Sequence, residues 1–202
     1  MWFSKINALE DFRIHMRKSR TSLFAALAMF MALFGLPSTA QITLSYGTLD
    51  PELDDETLQD TSVDWAREYL ALAYAIPVTS NLSLSPSLSL VGEQSDSLTT
   101  VLTDPDGVSL GLWGRYDLLS YGAGSTYADG RLTYLDYDLE DQSTPAIGNE
   151  FQFSLGVGAD MALTDRVSAF TNLSYTYVDG SQDGEAYEGS GAGLEIGIEL
   201  SF

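Results

Sequence analysis

The chain has 202 residues, with 9 Lys+Arg against 29 Asp+Glu and a formal net charge of −20. So few bases cannot neutralise a run of phosphates, which excludes a nucleic-acid partner, and the absence of cysteine excludes disulfides, thiolate metal sites and cysteine nucleophiles. Apolar residues make up 45%, too many for a disordered acidic tail.

The first predicted element is a targeting segment over residues 1–40. Arg13, Arg17, Lys18 and Arg20 precede an uncharged apolar run from Ser22 to Leu36. Ser38-Thr39-Ala40 then places small residues before Gln41. This is the pattern of a cleaved secretory signal peptide. The apolar run of about fifteen residues is shorter than the ~20 that span a bilayer as a helix. Met16 opens a more typical signal than Met1, because Glu10 and Asp11 are unusual in a basic leader.

Residues 41–202 then hold 27 acidic residues and four bases, Arg67, Arg115, Arg131 and Arg166, with no His, Lys or Cys. That composition excludes Ser–His–Asp catalysis, imidazole bases, Schiff bases and ordinary zinc sites. Oxygen-only ligands for calcium remain available.

From Gln41 onward the apolar period is two, the signature of strands. Ile42, Leu44 and Tyr46 open the series. Leu70, Leu72, Tyr74 and Ile76 follow, and then Leu82, Leu84, Leu88 and Leu90. Leu110, Leu112, Tyr116 and Leu118 mark a fourth strand, and Leu132 with Tyr134 a fifth. Phe151, Phe153, Leu155, Val157 and Met161 form the sixth. Val167, Leu173, Tyr175 and Tyr177 form the seventh. Leu194, Ile196, Ile198, Leu200 and Phe202 close the chain. Short turns are expected at 79–81 and 164–166, and long polar loops near 49–62, 93–107, 138–149 and 179–190. Alternation of long and short connections is the pattern of a transmembrane β-barrel. Two places strain it. The boundaries of the fourth and fifth strands are poorly marked over 97–131, where 97–103 could add a short strand. Pro86 also sits inside a strand that a closed barrel gives no free edge.

The two faces differ in chemistry. One is apolar and carries Tyr46, Tyr74, Tyr116, Phe151, Tyr175, Tyr177 and Phe202 near strand ends, like an interfacial aromatic girdle. The other is Gly, Ser, Ala and Thr with charges of both signs: Arg67, Arg115 and Arg131 with Asp117, Asp160, Glu195 and Glu199. Mixed charges can pair in a narrow lumen, where an unpaired one is costly. A soluble barrel binding an apolar ligand would reverse the two faces. The expected fold is therefore all-β, an eight-stranded antiparallel transmembrane barrel over 41–202.

The terminal strand 191–202, with Leu194, Ile196, Ile198, Leu200 and a final Phe202, resembles the C-terminal signature of bacterial outer-membrane proteins. Segments 74–84 and 161–170 resemble the periplasmic turns of small OmpA/OmpX-like barrels. The resemblance covers the mature chain by pattern and implies an outer-membrane location. It also implies recognition by the barrel-assembly machinery, contact with lipid and lipopolysaccharide, and a monomer. It carries over no catalytic motif; barrel hydrolases of lipid use a Ser–His pair, and residues 41–202 hold no histidine.

Eight strands leave an interior just filled by side chains, so no wide pore is expected. Glu195 and Glu199 lie about 13 Å apart by strand rise, too far for a paired acid/base site, and ion pairing with Arg67 or Arg115 is expected instead. The predicted loops gather most of the acid. Asp54, Asp55 and Glu56 in the first, and Asp179, Asp183 and Glu185 in the last, are candidate ligands for Ca²⁺ or Mg²⁺ bridging to lipopolysaccharide. A structural or surface-interaction role is the leading expectation. A narrow channel for small solutes or ions and a soluble secreted barrel are the alternatives.

Overall fold

A computed structural model describes residues 41–53, 66–93, 101, 105–140, 145–182 and 184–202. The expected leader, residues 1–40, lies outside them. Eight strands follow in order: β1 (Gln41–Leu53), β2 (Arg67–Pro77), β3 (Leu82–Glu93), β4 (Gly107–Tyr121), β5 (Gly124–Glu140), β6 (Pro145–Ala162), β7 (Val167–Gln182) and β8 (Glu185–Ser201). Each pairs antiparallel with its sequence neighbour, and β8 returns to β1 through rungs from Gln41↔Ser201 to Leu53↔Gly189. The sheet is a closed barrel and leaves no edge strand to be covered.

Period-two patterning decides which face is which. Leu110, Leu112, Leu132, Phe153, Leu155, Val157, Leu173, Leu194, Ile196 and Ile198 all point out of the barrel and are exposed. Thr43, Ser45, Arg67, Ser85, Ser109, Asp129, Glu150, Asn172, Thr176, Glu195 and Glu199 point in and are buried. The apolar face is thus external, the reverse of a soluble barrel.

The short connections are built by local side-chain chemistry. Thr79 Oγ1 accepts hydrogen bonds from the backbone N–H groups of Asn81 and Leu82, and Thr164 Oγ1 accepts those of Arg166 and Val167. The two turns are therefore one design used twice, a threonine hydroxyl standing in for a backbone acceptor. Between β4 and β5 the turn is only Gly122-Ala123. Gly122 has φ 57°, the left-handed conformation that tight hairpins require and glycine adopts freely. A bulge between Asp117 and Leu119 shifts the phase just before it, which explains why the apolar spacing there fails to mark the strand boundary.

At the other end two expected loops are mostly strand. The β5–β6 ladder runs out to Glu140↔Pro145 and the β7–β8 ladder to Gln182↔Glu185. Of the spans 138–149 and 179–190, only the tips are connections. Cross-strand hydrogen bonds hold these hairpins beyond the apolar belt, where the side chains need no lipid-facing alternation to reveal them. Pro86 keeps its rung to Leu112 of β4. On the β2 side the paired rungs stop at Ala73↔Ser87 and resume at Ile76↔Leu84. The proline, with no N–H to give, is accommodated by a local gap in one ladder.

Four inward glycines lie directly across from an aromatic ring. The rung partners are Gly47 and Tyr69, Gly158 and Tyr127, Gly180 and Tyr187, and Gly197 and Phe170. In each pair a Cβ on the glycine would run into the ring. The missing side chain is the space in which the ring lies.

Candidate functional site: the charged lumen

The inward charges form three sets, stacked along the barrel. Nearest the short turns, Arg115 is ion-paired with Asp117 at 3.0 Å, Glu199 at 2.9 Å and Asp160. Ser125 Oγ donates to Asp160 at 2.7 Å. The Arg115 guanidinium also lies 3.9 Å from the centre of the Tyr127 ring. Four strands supply this set: β4 brings Arg115 and Asp117, β5 Ser125, β6 Asp160 and β8 Glu199.

Above it is an aromatic layer. Trp113 and Phe170 meet at 6.0 Å between ring centres, and with Tyr127 and Ala73 they form a buried apolar cluster. Apolar constrictions of this kind are where pores gate by dewetting.

Next comes Arg131, which reaches Asp129 at 2.9 Å and Glu195 at 2.5 Å and stacks 4.2 Å over the Trp113 ring. Asn172 Nδ2 donates to the other Asp129 oxygen at 2.7 Å. Toward the long connections, Arg67 donates to Glu150 at 2.9 Å, with both side chains almost fully buried. Gln152 Nε2 and the Tyr187 hydroxyl donate to Glu150 at 2.6 Å each.

All seven charged residues expected on the inner face point inward, and the structure assigns their partners. Glu199 goes to Arg115. Glu195 goes to Arg131 rather than to Arg67 or Arg115, because Arg67 begins β2 at the long-connection end and faces Glu150 there. Asp129 and Glu150 were not anticipated, although both fall on inward positions, two residues from Arg131 and Gln152 respectively.

The acidic cation candidates fare differently. Asp54, Asp55, Glu56 and Asp183 lie outside the described residues. Asp179 points outward on β7, opposite Glu188, while Glu185 sits three rungs further along on the other face of the hairpin. Those two carboxylates do not converge on one ion. Among the described residues no three acidic side chains gather as a metal site would require.

Closed strands, an apolar exterior and a lumen filled by paired charges define the transmembrane class of β-barrel. Solved structures share the fold, and two of them illustrate it. Neisserial surface protein A matches with a TM-score of 0.56 at 14% identity, over 81% of this chain and 97% of its own. The N-terminal β-barrel domain of Pseudomonas aeruginosa OprF matches with a TM-score of 0.50 at 12% identity, over 81% and 98%. No protein-family model matches the sequence, and no curated protein sequence does. The likeness is one of fold, that of the small eight-stranded outer-membrane barrels.

Proposed function

We propose that the protein is an integral barrel of the bacterial outer membrane with a structural or surface-interaction role, non-conducting and without catalytic activity. The observation that carries this reading is the inversion of its faces, apolar side chains outside and stacked ion pairs with an aromatic layer inside. An apolar exterior stabilises the barrel only in lipid, and a lumen filled with ion pairs and aromatic rings supports a closed reading. The absence of His, Lys and Cys from residues 41–202 supports the lack of catalysis. The terminal strand ending in Phe202 is the segment offered to the assembly machinery.

The surface role is assigned to the long-connection end, taken as extracellular. Asp50, Glu52, Asp136, Asp179 and Glu188 are exposed there. Carboxylates at this level, with those of the first loop, would meet anionic lipopolysaccharide through shared Ca²⁺ or Mg²⁺. Membrane fractionation with heat-modifiable gel migration tests the location; recovery in the soluble fraction would refute it. Single-channel recording in planar bilayers tests closure, and steady conductance from the parent protein would favour a narrow channel instead. Melting in detergent with added calcium and then chelator tests the cation role, and an unchanged Tm in both removes it.

A further inference from the structure

A partly open pocket of about 70 Å³ occupies the lumen between the Arg67–Glu150 and Arg131–Glu195 layers. That is room for roughly five water-sized groups. Trp113 and Ala73 of the aromatic layer form part of its lining. Its wall carries hydroxyls, among them Ser87, Ser89, Ser109, Ser154 and Thr176, and a hydroxyl can donate or accept. Two fixed donors decide the polarity. The indole Nε1–H of Trp113 and Nη2 of Arg131 are buried, and neither has a hydrogen-bond partner among the described residues. Trp113 is 4% exposed. Leaving buried donors unpaired is costly, so a fitting occupant presents an acceptor.

Charge narrows the occupant further. The lining holds Arg67, Arg131 and Glu195, so a metal cation would face two guanidiniums as well as the indole donor. An anion fares no better. Glu150 is paired with Arg67, while Asp129 and Glu195, 1% and 3% exposed at their side chains, share the guanidinium of Arg131. Among the described side chains the two layers set three carboxylates against two guanidiniums, and a further negative charge buried among them would be costly. A neutral guest meets neither objection. Its acceptor serves Trp113 and Arg131. Glu195 can take a donor from the same guest, because a carboxylate oxygen accepts more than one hydrogen bond.

We propose that this pocket binds one small neutral solute of about five non-hydrogen atoms, carrying both an acceptor oxygen and a donor group. That is the chemistry of a primary amide or a short diol. Occupancy needs no passage across the aromatic layer and no divalent ion at the outer loops, so it stands apart from the closure and cation tests above.

The test reads the Trp113 indole proton directly. The full barrel, labelled with nitrogen-15 and refolded in detergent, is titrated at constant ionic strength with acetamide, ethylene glycol, acetate and acetamidinium. These probes are similar in size and differ in charge. Trp113→Phe assigns the resonance. Acetamide or ethylene glycol should give a saturable shift of the Trp113 indole signal, and the one that saturates at lower concentration identifies amide or diol. Acetate and acetamidinium should leave the signal in place. Ser89→Leu, which fills the pocket from β3, should abolish the shift while the indole resonance of a folded barrel persists; the titration of the parent chain stands without it. No shift with any probe would overturn the proposal and mean that water alone occupies the pocket. A charged probe that shifts the signal as much as the neutral ones would overturn it too, as would a shift that survives in Ser89→Leu.

Discussion

Replacing Arg131 by methionine keeps a long side chain over the Trp113 ring but removes the guanidinium facing Asp129 and Glu195. At separations of 2.9 and 2.5 Å and an effective dielectric constant of ~20, each contact corresponds to about 6 kcal/mol of attraction. Desolvation of the three charged groups offsets much of that in the parent. The variant leaves two buried carboxylates facing each other, and breaking such a buried pair costs about 3–5 kcal/mol. Urea unfolding in phospholipid vesicles, followed by tryptophan fluorescence, reads the difference. The triple variant Arg131→Met, Asp129→Asn, Glu195→Gln removes the charges together and should recover at least half of the loss. If Arg131→Met stays within about 1 kcal/mol of the parent, or the triple variant is no better than the single one, the layer is not held by its charges and the reasoning fails.

The exterior and the packing make further predictions. Ile198 sits near the centre of the outward run from Ala192 to Phe202, so Ile198→Arg should cost about 2–4 kcal/mol in the same vesicle assay; a variant as stable as the parent would mean that this face does not meet lipid. Gly158→Ala should cost about 1–3 kcal/mol by overpacking, because the added Cβ meets the Tyr127 ring and comes within 2.6 Å of the Thr171 carbonyl oxygen. Tyr127→Ala in the same background should recover part of that loss and not all, since the backbone oxygen cannot move aside as the ring can. Full additivity of the two changes would show that glycine and ring do not share the space.

What the sequence made legible follows from where chemistry alternates. Along Leu194, Ile196 and Ile198 every second residue must satisfy lipid, so the strand announces itself. Beyond the belt, at Asp138 or Glu188, no such demand exists. Strand and loop look alike there, and the β5–β6 and β7–β8 hairpins extend further than their composition suggests. The inward direction of Arg131 and Glu195 is a matter of parity and can be counted. Their partnership depends on which residues from β5 and β8 reach one height across the lumen, and that requires the register of every intervening strand. Asp129 has the same parity as Arg131, but the apolar markers Leu132 and Tyr134 begin only after it, so the start of β5 goes unmarked.

The rung-paired glycines and rings have a consequence for how the barrel reaches its register. Slide β8 along β7 by one residue and Phe170 no longer faces Gly197 but a neighbour that carries a side chain, while Tyr187 loses Gly180 at the same instant. The cost arises abruptly and at both ends of one seam. Such pairs act as a ratchet tooth and its notch, letting a hairpin settle where both engage and rejecting the alignments either side. A homologue that fills one of these lumen glycines should therefore be found to have trimmed the ring across from it.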